Sequence, residues 1–116
     1  MFNSKASGTN FEHKLIKYLE EKDYNVLRSA GSFHTDLWAV KEGKIFWIEV
    51  KSLGKNFYLS NHKLQLFQLY VKASKYGAIP ILAIAFKRKG WKFYLLSHDF
   101  FERTSISYGN KGNFVF

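Results

Sequence analysis

Between residues 9 and 22 the apolar side chains Phe11, Leu15, Tyr18 and Leu19 follow the i, i+4, i+7, i+8 stripe of an amphipathic helix. Thr9 and Glu12, three residues apart, have the form of a capping box, in which a hydroxyl and a carboxylate each accept a hydrogen bond from an otherwise free backbone N–H. The helix is therefore predicted to begin there. After a turn at Asp23 the period shortens to two. Residues 25–30 (NVLRSA), 35–40 (TDLWAV) and 45–51 (IFWIEVK), separated by GSFH and KEGK, predict three strands in a meander. A second helix is expected over about 61–76, with Ser60 as its N-cap and Gly77 as its stop. Its apolar residues Leu64, Leu66, Phe67, Leu69, Tyr70, Val71 and Ala73 run almost all the way round, which in a small protein predicts burial on two sides. One side would cover a sheet; the other, with some of Leu66, Leu69, Tyr70 and Ala73, would suit a subunit interface. Residues 79–86 (IPILAIAF) then form a continuous apolar strand, KRKG a turn, and 91–97 (WKFYLLS) a partner strand.

This order of helix, three strands, helix and two strands predicts an α/β fold, a mixed central sheet with one helix on each face. At 116 residues, 47% of them hydrophobic, the chain fits a single domain over 1–116 with a substantial core. No apolar run approaches the roughly 20 residues that span a bilayer, and the opening MFNSKASGTN lacks the core of a signal peptide. A soluble, intracellular protein without a membrane partner is expected. No cysteine is present, so thiolate nucleophiles and thiolate metal sites are excluded, and a metal would need oxygen or imidazole ligands. The net charge of +9 and pI near 9.8 point to a polyanionic partner, nucleic acid first. A merely solvated basic surface is the alternative for clusters such as Lys72/Lys75 and Lys87/Arg88/Lys89.

Along IFWIEVK, alternation puts Trp47, Glu49 and Lys51 on one face and Ile48 and Val50 on the other. Two charges entering an otherwise apolar strand break the pattern in the way functional sites do. Asp36 lies near the start of the preceding run, and counting back across KEGK brings it beside Glu49. Paired carboxylates suit Mg²⁺ or Mn²⁺. Such a cation can activate water, stabilise charge on a phosphate oxygen and orient attack, with Lys51 placing the nucleophile or offsetting charge. The chemistry implied is phosphodiester hydrolysis. Taken alone, Glu49 and Lys51 also fit a surface salt bridge on an edge strand.

Asp36, Glu49 thirteen positions on and Lys51 two further resemble the core motif of the restriction-endonuclease-like nucleases. With a helix carrying Glu12, Arg28 in RSAGS, Ser32, IEVKS and GAIPILAIAF, the stretch from about Gly8 to Trp91 resembles the archaeal Holliday junction resolvases. The resemblance implies a restriction-endonuclease-like fold and a homodimer in an archaeal cell or a virus-infected archaeal host, associated with the nucleoid. It further implies binding to four-way DNA junctions and nicking of two opposed strands with a divalent metal. Carried over, Asp36 and Glu49 would hold the metal, Glu12, Asp36, Glu49 and Lys51 would form the catalytic set, and Lys5, Arg28, Ser32 and Lys55 would contact DNA. The tail SISYGNKGNFVF matches nothing in that pattern.

Simpler roles stand beside these. Glu12 is explained as a capping residue, Arg28 as its ion-pair partner and Ser32 as a turn former. His34 reads as a solvated loop residue or a base near Asp36, His62 as helix surface, and Trp38 and Trp47 as core residues more than base-stacking platforms. Two other functions compete: a nuclease of the same superfamily that cuts ordinary duplex or serves repair, and a non-catalytic nucleic-acid-binding module in which Glu49 and Lys51 form an ion pair.

Overall fold

The computed structural model describes residues 4–28, 36–53, 56–87, 89–103, 105–107 and 112–116. Helix α1 (Ser4–Glu20) is followed by strands β1 (Asn25–Arg28), β2 (Leu37–Lys41), β3 (Lys44–Leu53) and β4 (Asn56–Tyr58). A 3-10 turn (Leu59–Asn61) leads into α2 (Lys63–Tyr76), then β5 (Ile79–Phe86) and β6 (Gly90–Leu95). A second 3-10 turn (Phe100–Glu102) precedes β7 (Ser105–Ser107). The main sheet has the order β1-β2-β3-β5-β6, and β4 pairs with β7 in a separate ribbon. Within the main sheet the neighbours are antiparallel except β3 and β5, which are parallel. Parallel strands need a crossover, and α2 is that crossover.

Each helix buries one stripe on its own face of the sheet. Leu15 and Leu19 of α1, four apart, are fully buried against Leu37, Ile48, Ile81 and Ala83. On the other face Leu66, Leu69 and Ala73 of α2 meet Trp47, Leu82, Ile84 and Phe86. Strand β5, covered on both faces, accordingly has apolar residues throughout. Burial of each such leucine contributes about 1.5–3 kcal/mol. The predicted α/β sandwich of a mixed sheet between two helices is thus the observed fold.

The β2–β3 hairpin fixes what matters for chemistry. Lys41 pairs with Lys44, leaving a two-residue turn in which Glu42 (φ 52°) and Gly43 (φ 79°) both have positive φ. That is the combination a tight hairpin turn with right-handed strand twist requires. The turn sets Leu37 opposite Ile48, and one more step along that register brings Asp36 to Glu49.

Several predicted boundaries move. Helix α1 starts at Ser4, so Thr9 and Glu12 are both interior and not at its start, where upstream helical carbonyls satisfy the N–H groups that a capping box would serve. Asp36 lies just before β2 and not within it. Strand β3 extends beyond residues 45–51 at both ends. Ser60 is not a cap, since it belongs to the 3-10 turn, and His62 precedes α2 without a side-chain capping bond. Gly77 does stop α2, in the left-handed region at φ 76°, its N–H donating to the Ala73 and Ser74 carbonyls.

The outward face of α2 also differs from expectation. Leu66, Leu69 and Ala73 are core, and Tyr70 packs beside them, whereas Leu64, Phe67 and Val71 are exposed. A helix apolar nearly all round gives no periodic clue to which stripe turns inward.

The tail has a packing role. Phe114 bridges Phe93 on β6, the Asn113 N–H donates to the Phe93 carbonyl at 3.1 Å, and Asn113 Oδ1 accepts from the Leu95 N–H at 2.6 Å. A Cβ on Gly112 would sit 2.6 Å from the Phe93 carbonyl oxygen, so this close approach demands glycine. The tail thereby pairs with the outer edge of the sheet, an edge otherwise open to other chains.

Candidate active site

Strand β3 presents Trp47, Glu49 and Lys51 to the face covered by α2, as its alternation predicts. Trp47 is buried and stacks on Trp38, ring centroids 5.2 Å apart and planes within 11°. The two indoles are packing residues under the site, in agreement with the sequence reading.

Asp36 grips the strand on either side of Glu49. Its backbone N–H donates to the Ile48 carbonyl at 3.0 Å, and its Oδ2 accepts from the Val50 N–H at 2.8 Å. One carboxylate oxygen is spent in holding position, while the Asp36 charge acts on Glu49, its neighbour across the hairpin.

Glu49 is 4% exposed, the buried charged side chain among the described residues. Burial first, and then the charge of Asp36, push its pKa up from 4.5 to about 7, against the opposing pull of the Lys51 ammonium. Its Oε2 lies 3.3 Å from Lys51 Nζ and accepts from Gln65 Nε2 at 2.9 Å. Lys51 Nζ in turn donates to Gln65 Oε1 at 3.1 Å. Three side chains from β3 and α2 thus close a hydrogen-bonded ring.

The charge of Asp36 also reaches Glu12 of α1. Its pKa is raised by burial and by Asp36, while Arg28 and His13 oppose the rise. Arg28 Nη2 is 3.4 Å from Glu12 Oε1, so the ion pair that stands as the simpler role of Arg28 is present. The Asp36 charge thus acts on both Glu12 and Glu49, and each of these has its own cationic partner, Arg28 for the one and Lys51 for the other. No three His, Asp or Glu side chains among the described residues converge tightly enough to hold one ion; the close pair is Asp36 with Glu49.

Of the remaining predicted residues, Lys5 lies in the first turn of α1, and Ser32, His34 and Lys55 fall outside the described residues. His62 is not simply helix surface: burial and the nearby Lys51 charge lower its pKa. Gln65 is the residue that sequence reasoning missed. A signal existed, because Gln65 sits one turn before the buried Leu69, on the sheet-facing side where an apolar residue is expected.

Buried ion pairs are poor stabilisers, since desolvation cancels most of their attraction. A second carboxylate turned toward Glu49 makes the arrangement costlier still. Such a cluster makes sense as chemistry more than as packing.

The model of the archaeal Holliday junction resolvase (hjc) family matches residues 3–113. The chain belongs to that family. The match runs past Trp91 and takes in Gly112 and Asn113, which dock the tail on β6. Among relatives, the crossover junction endodeoxyribonuclease Hjc of Methanocaldococcus jannaschii is 35% identical over 80 residues, covering 68% of this chain and 59% of that protein. The chain therefore matches about three-fifths of that relative's length. The solved structure of Archaeoglobus fulgidus Hjc, described as a Holliday junction resolvase from an archaeal hyperthermophile, superposes with a TM-score of 0.69. It covers 88% of this chain and 84% of that one at 24% identity, a likeness that speaks to the resolvase fold. No helix among the described residues is long and apolar enough to cross a membrane.

Proposed function

We propose that this chain is a metal-dependent DNA endonuclease that resolves four-way junctions by paired hydrolysis of phosphodiester bonds, acting as a homodimer. The observation that carries the reading is the buried Glu49 facing Asp36, with Lys51 hydrogen-bonded alongside. Two carboxylates against one ammonium leave negative charge in a desolvated place, and oxygen donors in that setting fit a hard divalent cation. Asp36 and Glu49 would hold Mg²⁺ or Mn²⁺, which when bound supplies Lewis-acid activation of water and stabilisation of charge on the phosphate. A plain Glu49–Lys51 ion pair, as in a non-catalytic binding module, gives no reason for a second carboxylate whose charge raises the Glu49 pKa.

The chain's own groups divide the remaining work. An ammonium has three donors; Glu49 and Gln65 engage two of them, and a third is left for a phosphate oxygen or the attacking water. Arg28, its side chain 45% exposed, can keep Glu12 on one side and meet a phosphate on the other. The net charge of +9 draws a polyanion to this surface. Leu64, Phe67 and Val71 form an exposed stripe at i, i+3, i+7 on α2, which supports a second copy of the chain as the partner on that face.

The test is a fixed four-way junction labelled on each strand in turn. In Mg²⁺ the protein should place symmetric nicks in two opposed strands, none should appear in EDTA, and Asp36→Asn should lose cleavage on the order of a thousandfold while still binding the junction. Equal nicking of linear arms would instead favour a duplex-cutting nuclease of the same superfamily. Absence of cleavage in either Mg²⁺ or Mn²⁺ would leave a binding module.

A further inference from the structure

Gln65 reaches from α2 toward β3 and is half-buried. A half-buried amide is costly unless its oxygen and nitrogen both find partners. Both do: Nε2 donates to Glu49 Oε2 at 2.9 Å, and Oε1 accepts from Lys51 Nζ at 3.1 Å. The partners also fix which way the amide points, because an ammonium only donates and an ionised carboxylate only accepts.

We propose that Gln65 is a positioning residue of the nuclease site, holding the Glu49 carboxylate and the Lys51 ammonium in one hydrogen-bonded ring before DNA or cation arrives. The inference rests on the reading of Asp36, Glu49 and Lys51 as that site. Glu49 and Lys51 are two apart on one strand, with Nζ already 3.3 Å from Oε2. Lysine is a compact charge on a flexible stem. Without a third partner, Lys51 is free to settle fully on Glu49, which occupies a metal-holding carboxylate and withdraws the ammonium from phosphate. The amide shares both contacts and adds no charge. Because Gln65 is carried by the helix that packs on the sheet through Leu66 and Leu69, it sets these two side chains from a rigid element.

Three variants separate the possibilities. Gln65→Ala removes both hydrogen bonds, Gln65→Asn keeps the amide one methylene short, and Gln65→Glu keeps an acceptor for Lys51 but turns the donor facing Glu49 into another acceptor. Five quantities are measured: Mn²⁺ affinity of the DNA-free protein by calorimetry, kcat and KM for junction cleavage, junction affinity in EDTA, and the Lys51 ¹⁵Nζ resonance, which is seen when the ammonium is held in hydrogen bonds. The alanine variant should lose about 10- to 100-fold in Mn²⁺ affinity and in kcat. Its KM and its junction affinity in EDTA should stay within about twofold, and the Lys51 resonance should disappear. Asparagine should not rescue, and it carries the same comparison if the alanine variant does not fold. Mn²⁺ affinity and kcat within about twofold of wild type would overturn the proposal, as would losses that simply track a fall in melting temperature and junction binding. If the wild-type protein cuts no junction, the nuclease reading fails, while Mn²⁺ affinity and the Lys51 resonance still decide the role of Gln65.

Discussion

Glu49 carries its carboxyl group into a place 4% exposed, where burial and Asp36 lift its pKa to about 7 from 4.5. In the unfolded chain it titrates near the ordinary value. Between those two values the folded state therefore holds more proton than the unfolded one, so metal-free stability is greatest below the lower value and is lost as pH rises through the upper. Glu49→Gln keeps the shape and cannot ionise. Denaturant melts in EDTA from about pH 4 to about pH 8 should show the wild type falling relative to the glutamine variant, by on the order of 3 kcal/mol at the alkaline end. Parallel curves would mean that Glu49 is not desolvated in this way. Added Mg²⁺ should restore the wild type above neutrality and leave the variant unchanged. Strand alternation alone is enough to put Glu49 and Lys51 on one face, because a period of two has no ambiguity once the strand is recognised. Gln65 escapes such a reading: its importance comes from where α2 lands on β3, a tertiary fact. Glu12 shows the opposite failure, a local pattern that fits a capping box while the helix continues past it to Ser4.

At the level of elements, the hairpin between β2 and β3 brings Asp36 to Glu49, and Glu42 and Gly43 hold it with φ of 52° and 79°. Gly43→Val would put a β-branched side chain where only glycine is at ease, at a cost of about 1–3 kcal/mol. Thermal unfolding should shift down by roughly 4–8 °C per kcal/mol. An unchanged midpoint would show that the turn does not adopt this conformation. The register was open to sequence reasoning because a two-residue turn fixes it by counting. The facing of α2 was not. Leu64, Phe67 and Val71 form as good a stripe as Leu66, Leu69 and Ala73, and only the packed sheet tells them apart.

For the whole molecule, the exposed stripe on α2 and the net charge of +9 are where the proposed dimer and its DNA can be tested. Sedimentation should give about twice the 13.6 kDa chain mass, and Phe67→Glu, at a position 43% exposed, should yield a folded monomer that nicks junctions singly. A wild-type monomer, or an unaltered dimer in that variant, would remove α2 from the interface. Leu69 is unsuitable for this purpose, since it is fully buried and a charge there would break the core. The tail was illegible in the sequence because its apolar residues are few and lack a long period; Phe114 and Phe116 gain meaning only against Phe46 and Phe93. Junction resolution itself is tested most directly on a supercoiled plasmid that extrudes one cruciform, digested by the wild-type protein in Mg²⁺ under single-turnover conditions. The first nick relaxes the circle and removes the force that extrudes the cruciform, so linear plasmid should appear without build-up of nicked circle only if the second nick follows within the same binding event. Accumulation of nicked circle, or no cutting while Mg²⁺ is present, would contradict paired cleavage by this protein.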